Sequence, residues 1–306
     1  MINYILTILL IFSISPLLVG VIKSFKMWLL YKKPVSPFQP YIDFAKLFHK
    51  EIIYSKESSI ISRMAPFFVL SPIIIVIFLL PPIFKGSFYI SFMDAFTITG
   101  LLSLSTFFLM LLGLDSASSF GGIGSSREAF ISALVEPAMV LTLFSISLIA
   151  QNIGLSKVVL NLNDNFPTQF SASFILAGIS FFILLIAENG RIPVDNPETH
   201  LELTMVHEAM ILDTTGANLA LIEIAGALKF GIFASLFVSL FLPFGVNLCW
   251  CLAVVVFILK LLALSLFVGW IELNTAKFRL FKVPNLLGIA MVFSFLSLII
   301  YYIVGA

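Results

Sequence analysis

The chain has 306 residues, 60% of them hydrophobic and 11% charged, with a formal net charge of +1 and a mean hydropathy of +1.12. Soluble domains carry about 25% charged residues, so this composition excludes a soluble enzyme. The near-zero charge gives no electrostatic basis for nucleic-acid binding. What remains is an all-α, polytopic membrane protein, read as one integral membrane domain over residues 1–306.

A membrane-spanning helix needs about 20 apolar residues. Uncharged runs occupy 2–22, 64–84, 95–114, 165–187 and 283–306, and the run 129–156 carries one acid, Glu136. The stretch 214–271 is too long for one span, and Pro243, Gly245 and Asn247 mark a turn inside it. Eight transmembrane helices are predicted, near 2–22, 65–83, 95–114, 129–150, 171–187, 216–242, 248–270 and 286–304. No basic residue precedes Lys23, so the first run reads as a membrane helix and not a cleaved leader.

The basic residues orient this bundle. The first loop, 23–63, holds Lys23, Lys26, Lys32, Lys33, Lys46, Lys50, Lys56 and Arg63. If it is cytoplasmic, Arg127, Arg191, Lys277, Arg279 and Lys282 fall on the same side, against Lys85 and Lys157 outside. That bias predicts both termini on the outer side.

Residues 36–51 read SPFQPYIDFAKLFHKE. Pro37 and Pro40 stop the preceding structure, and Pro40 suits a first helical turn. Phe38, Tyr41, Phe44, Ala45, Leu47 and Phe48 then follow roughly helical spacing, with Asp43, Lys46 and Lys50 between them. The pattern predicts a short amphipathic helix at the membrane surface, either an interfacial anchor or a docking surface for a soluble partner.

Residues 121–136 read GGIGSSREAFISALVE. The glycines lack GK[ST] and a preceding strand, so they form no phosphate loop. Arg127 and Glu128 are read as the start of the fourth span. Glu136 lies deeper and is followed by Pro137, which removes a backbone hydrogen bond. The carboxylate and the freed carbonyl make a polar spot inside the membrane, suited to relaying a proton or to pairing with a lysine on another helix.

The segment Glu188 to Asp213 holds six of the 16 carboxylates: Glu188, Asp195, Glu198, Glu202, Glu208 and Asp213. It also holds His200 and His207, two of the three histidines. Pro193 and Pro197 keep its first part irregular, and a helix is predicted from Glu198 through Val206. HLELTMVHE is not the HExxH of a zinc protease, and no metal ligands are assigned. Apolar residues such as Ile192, Val194, Leu203 and Val206 alternate with the acids, a pattern that buries carboxylates in protein instead of displaying a solvated face. Titratable groups concentrated between two membrane spans point to proton movement or to contact with a redox partner.

Glu223 and Lys229, six residues apart in the sixth predicted span, face different ways. Each needs a partner on another helix or water, and Lys260 is one candidate; for Lys229 and Lys260 simple snorkelling is the alternative. Cys249 and Cys251 are the chain's two cysteines and form no CxxC, whereas an iron–sulfur cluster typically takes four cysteine ligands. Any redox metal therefore belongs to another chain.

Three stretches carry a family resemblance. QPYIDFAKLFHKE resembles QP-x-x-D-x-x-K-L-x-x-K-E, through Gln39, Pro40, Asp43, Lys46, Leu47, Lys50 and Glu51. Arg127 and Glu136 match an arginine and a glutamate nine residues apart. AENGRIPVDNPETHLEL resembles AE-x-x-R-x-P-x-D-x-P-E-x-x-x-E-L, through Glu188, Arg191, Pro193, Asp195, Pro197, Glu198 and Glu202. Across its whole length the chain resembles the family of complex I subunit one, and within it the membrane subunits of nickel–iron hydrogenases of the formate hydrogenlyase and hydrogenase-four type. It departs from the complex I pattern at Gly226, where that pattern has a glutamate, while Glu223 lies about one turn earlier.

The resemblance implies a multi-pass subunit of the cell inner (cytoplasmic) membrane that anchors a peripheral arm and translocates protons or sodium during electron transfer. This chain would carry no cofactor and no catalytic or metal-ligating residue. The nickel–iron centre and iron–sulfur clusters would lie in peripheral hydrogenase partner subunits, with antiporter-like subunits beside it in the bilayer. Glu188, Asp195, Glu198, Glu202, Glu208 and Asp213 would line a cavity near the peripheral arm. Glu136, Glu223 and Lys229 would continue it into the membrane, with Arg127 and Arg191 as charge partners. Gln39, Asp43, Lys46, Lys50 and Glu51 would face the docking partner. The alternative is a complex I subunit with a quinone in the cavity.

Overall fold

The computed structural model describes residues 2–55, 58–81, 94–164, 171–195, 206–245 and 249–304. Among these residues the secondary structure is helical: α1 (Ile2–Leu29), α2 (Gln39–Phe48), α3 (Ile60–Leu79), α4 (Ala95–Asp115), α5 (Ser119–Ile149), α6 (Leu155–Asp164), α7 (Ala172–Glu188), α8 (His207–Ile211), α9 (Gly216–Phe241), α10 (Trp250–Asn274) and, after a 3-10 turn, α11 (Val283–Val304). Helices α1, α3, α4, α5, α9, α10 and α11 are long and apolar enough to cross a membrane. The apolar α7, at 17 residues, extends about 25 Å, just short of a hydrocarbon core of about 30 Å.

Helices α1 and α5 depart furthest from their predicted bounds, each with a packing cause, and α3 and α10 shift by about four or five residues. Helix α1 continues past Lys23 to Leu29, because Lys26 is buried against Glu272 and does not stop the helix at the membrane surface. Helix α5 starts at Ser119, not near residue 129. The Ser118 hydroxyl accepts from Gly121 N, and Gly124 lets the backbone of Val206 pass where a Cβ would come within 2.9 Å of its carbonyl. Arg127 and Glu128 therefore sit on the third turn of α5 and not at its start.

Helix α9 is the axis of the bundle, with α1, α3, α7 and α10 packed around it. Association inside a membrane relies on close packing, and small residues allow it. Gly231 of α9 meets Ser15 of α1 so closely that no side chain would fit. Between α7 and α9 lies a cluster of phenylalanines. Phe181 stands 6.1 Å from Phe233 and 5.8 Å from Phe241, and Phe182 stands 5.7 Å from Phe237. Large side chains such as Ile75, Phe107, Phe267 and Phe295 lie exposed on the outer faces, the surface expected of a bundle solvated by lipid.

Long-range contacts gather one set of helix ends. The Asp115 carboxylate at the end of α4 accepts from the amides and hydroxyls of Ser59 and Ser62, capping α3. Phe278 N, just past α10, donates to Pro193 O, just past α7, at 2.9 Å. The end of α1, the start of α9 and α2 meet here too. This basic end carries nearly all the lysines and arginines of the predicted inner side. At the far end the amphipathic α6, which the apolar runs of the sequence do not predict, buries Leu155, Val158, Val159 and Leu162 against α5 and α9.

Candidate functional site

At the basic end lies a partly open cavity of about 290 Å³. Val19 and Lys23 of α1, Val69 and Ile73 of α3, and Ser105, Thr106 and Leu109 of α4 form part of its wall. Glu128 and Ile131 of α5 face it, as do Ile222, Glu223, Gly226, Lys229 and Phe230 of α9. The remainder comes from α2, the segment after α7, and α8.

Helix α2 contributes Gln39, Pro40, Asp43 and Phe44 to the cavity. Gln39 Nε2 donates to Asp43 Oδ1 at 2.8 Å, which orders the cavity face of the helix. Two glycines let it sit so close. A Cβ at Gly20 of α1 would overlap the Pro37 carbonyl just before α2. Gly216, with φ of +60°, lies under the chain leaving α2, where a Cβ would come within 2.6 Å of Glu51 O. The Tyr41 hydroxyl donates to the Ser13 carbonyl of α1. Burial raises the phenol above its ordinary pKa, with a backbone hydrogen bond partly opposing, so it stays a donor at neutral pH. The predicted surface helix is thus also part of the cavity wall. Lys46, Lys50 and Glu51 remain on its exposed side.

The segment after α7 supplies most of the charge. Glu188 ends α7 with a carboxylate oxygen 3.0 Å from Lys229 Nζ. Gly190, at φ of +55°, turns the chain, and Arg191 N donates back to Ile186 O. Arg191 lies 3.4 Å from Glu272 of α10 and stacks over Phe230, 5.0 Å from the ring centre. Asp195 accepts from Lys277 at 2.6 Å and, through its other oxygen, from Val206 N at 2.8 Å. Val206 leads into α8, which presents His207 and Glu208 to the cavity. Burial among protein groups, with the Lys229 charge adding to it and Asp195 opposing, lowers His207 from 6.5 to about 4. Its imidazole is neutral at pH 7 and can both donate and accept a proton.

Of the residues singled out from sequence, the cavity brings together Glu188, Arg191, Asp195, Glu208, Glu223, Lys229, Gln39 and Asp43. Glu198, Glu202 and His200 lie outside the described residues, with the helix predicted over 198–206 except for its last residue. Asp213 is exposed and borders a separate crevice with Tyr54 and Asn218. Glu136 is half-buried on α5, about 12 Å along the helix from Glu128, and does not line the cavity. Arg127 is half-buried beside Glu128.

Of the two alternatives for Lys260, the candidate pairing is not formed. Lys260 bonds neither Glu223 nor Lys229; its ammonium donates to Leu242 O at 2.6 Å and to Phe244 O, capping the far end of α9. The carbonyls left unpaired at a helix C-terminus are the stronger attraction there. Sequence reasoning also passed over Glu128, Glu272 and Lys23 as site residues. Glu272 carried a usable signal, an acid at the very end of an apolar run.

The fold and site together define a multi-pass, all-α membrane protein with a partly open cavity lined by charged groups at one end. The chain belongs to the NADH dehydrogenase family, whose family model matches residues 30–303; this is the family of complex I subunit one. It is 32% identical to hydrogenase-4 component C of Escherichia coli over 87% of this chain and 84% of that one. It is 27% identical to formate hydrogenlyase subunit 4 of the same organism over 95% of both. A subunit of the NADH-quinone oxidoreductase of Rickettsia africae is 28% identical over 55% of this chain and 51% of its own. The fold matches a chain of the membrane-bound sulfane sulfur reductase, an archaeal respiratory membrane complex, with a TM-score of 0.84 over 98% of each and 16% identity.

Proposed function

We propose that this chain is the membrane subunit of a hydrogenase-type complex in the cell's inner membrane. It anchors a peripheral arm carrying nickel–iron and iron–sulfur centres, and it couples electron transfer in that arm to proton or sodium movement. The observation that carries this reading is the cavity. Glu128, Glu188, Asp195, Glu208, Glu223 and Lys229 converge on one cavity beside α2 and the basic end, where a peripheral arm would dock. Intramembrane ionisable groups are costly, and a converging set marks a path for charge. Glu136, on the partly exposed side of α5, continues that path toward a neighbouring membrane subunit. The full-length similarity to hydrogenase-4 component C and formate hydrogenlyase subunit 4 supports the hydrogenase assignment.

The apolar half of the cavity wall, with Val69, Ile73, Leu109 and Phe230, favours a second reading in which a quinone enters. One preparation separates the two. The complex purified through a tag on this chain is expected to contain nickel and iron–sulfur subunits and to evolve hydrogen without added quinone. In inverted vesicles, Glu223→Gln is expected to lower ions moved per hydrogen by half or more, by about the logic of losing one relay group. Absence of hydrogenase subunits from the preparation would rule out the proposal.

A further inference from the structure

The cavity wall is held from behind by a segment that no family motif marks. Glu272, in the last turn of α10, has a side chain with no exposed surface. It stands 2.9 Å from Lys26 Nζ of α1 and 3.4 Å from Arg191. Just past the helix, Lys277 Nζ lies 2.6 Å from Asp195. Phe278 N donates to Pro193 O between those two ties. Residues 191, 193 and 195 are therefore each fastened to 272–278, with an ion pair at both ends and a backbone hydrogen bond in the middle. The ion pairs have opposite sense, acid to base at Glu272 and base to acid at Lys277, so neither can replace the other. Asp195 passes the constraint on through Val206 N to α8, and so to His207 and Glu208.

We propose that residues 272–278 act as a brace that sets the position of the cavity's charged groups, with Glu272 and Lys277 as its positioning residues. The proposal rests on the reading of this chain as a coupling subunit. A buried cation deprived of its anion seeks another carboxylate. Among the described residues, Glu188 and Asp195 are the carboxylates on Arg191's own segment, both in the wall, so loss of Glu272 turns Arg191 toward the site's own acids. Loss of Lys277 removes one of the ties that hold Asp195 and so loosens α8.

The test uses the whole complex in inverted vesicles, with Glu272→Gln, Lys277→Gln and the conservative Lys277→Arg. Three quantities are read: hydrogen evolution with the ion gradient dissipated, ions moved per hydrogen, and deuterium uptake in peptides covering 190–195 and 206–211. For Lys277→Gln, uptake is expected to rise about tenfold in those peptides while distant helices stay protected. Ions per hydrogen should fall by about half or more with hydrogen evolution within about twofold of the parent, and Lys277→Arg should restore both. Unchanged uptake in assembled Lys277→Gln overturns the brace, whether or not Glu272→Gln assembles. If the parent complex itself moves no ions, the coupling reading falls, and deuterium uptake alone still decides the brace.

Discussion

Glu188 and Lys229 each serve as the other's counter-charge, with 6% and 11% of their side chains exposed. Removing one leaves a buried ion unpaired, which costs about 3 kcal/mol. Glu188→Gln or Lys229→Met is therefore expected to lower the thermal midpoint of the purified complex. The double variant should lose less than either single change; a double loss equal to the sum would exclude the pairing. His207 gives a pH signature. Its value of about 4 lies below the ordinary 6.5, so the unfolded chain binds the proton more tightly. The stability it contributes is complete above pH 6.5 and lost as pH falls toward 4. Thermal midpoints measured across that window should fall more steeply for the parent than for His207→Gln. Much of this was legible at the residue level. Glu188, Arg191, Asp195, Glu208, Glu223 and Lys229 were all singled out from sequence, because charges this scarce stand out in an apolar chain. Their partners were not legible. Glu272 is 81 residues from Arg191, and no periodicity links positions so distant. Glu128 was hidden by reading the start of α5 about ten residues late.

At the scale of elements, α2 shows how a correct helix prediction can miss the helix's role. Its amphipathic pattern was plain in the sequence, since Phe38, Tyr41, Phe44 and Phe48 repeat near the helical period. The pattern says that one face is apolar, not what it meets: Tyr41 and Phe44 are half-buried against the bundle, and Phe38 and Phe48 stay exposed. That contact depends on Gly20 and Gly216, two positions on distant helices whose missing side chains let α2 settle beside the cavity. Gly216→Ala should be doubly unfavourable, because φ is +60° and the Cβ meets the carbonyls of Lys50 and Glu51. A loss of about 1–3 kcal/mol is expected, with faster trypsin cleavage at Lys46 and Lys50 as the helix lifts. Cleavage at the parent rate would show that α2 is held by other contacts. The central helix α9 was the most readable element. Its long apolar run and its end near Pro243 were both recognised, since α9 is buried on nearly every face.

Most of the charges among the described residues lie at one end of the molecule, which makes its orientation testable. Cys249 and Cys251 are exposed at the start of α10, at the end opposite the basic loops. In intact cells, a membrane-impermeant maleimide should label them from outside. A cysteine replacing Phe281, which is 90% exposed at the basic end, should react only in inverted vesicles once both native cysteines are serine. The reverse pattern would invert the topology drawn from the lysines and arginines. The phenylalanine cluster between α7 and α9 gives this orientation an electrical meaning. Phe181, Phe233, Phe237 and Phe241 fill the space between α7 and α9 on the far side of Arg191 with an apolar layer that carries no charge. A transmembrane voltage falls mainly across such a layer and little across hydrated space. Moving a unit charge through the full drop involves about 2.3 kcal/mol for each ~100 mV. If protons enter here as proposed, one resting among Glu128, Glu188 and Glu223 has met little of that work, so filling the cavity should depend only weakly on voltage. Under the proposed function, the voltage-sensitive step is the one that would carry charge out of the cavity, sideways or past the rings.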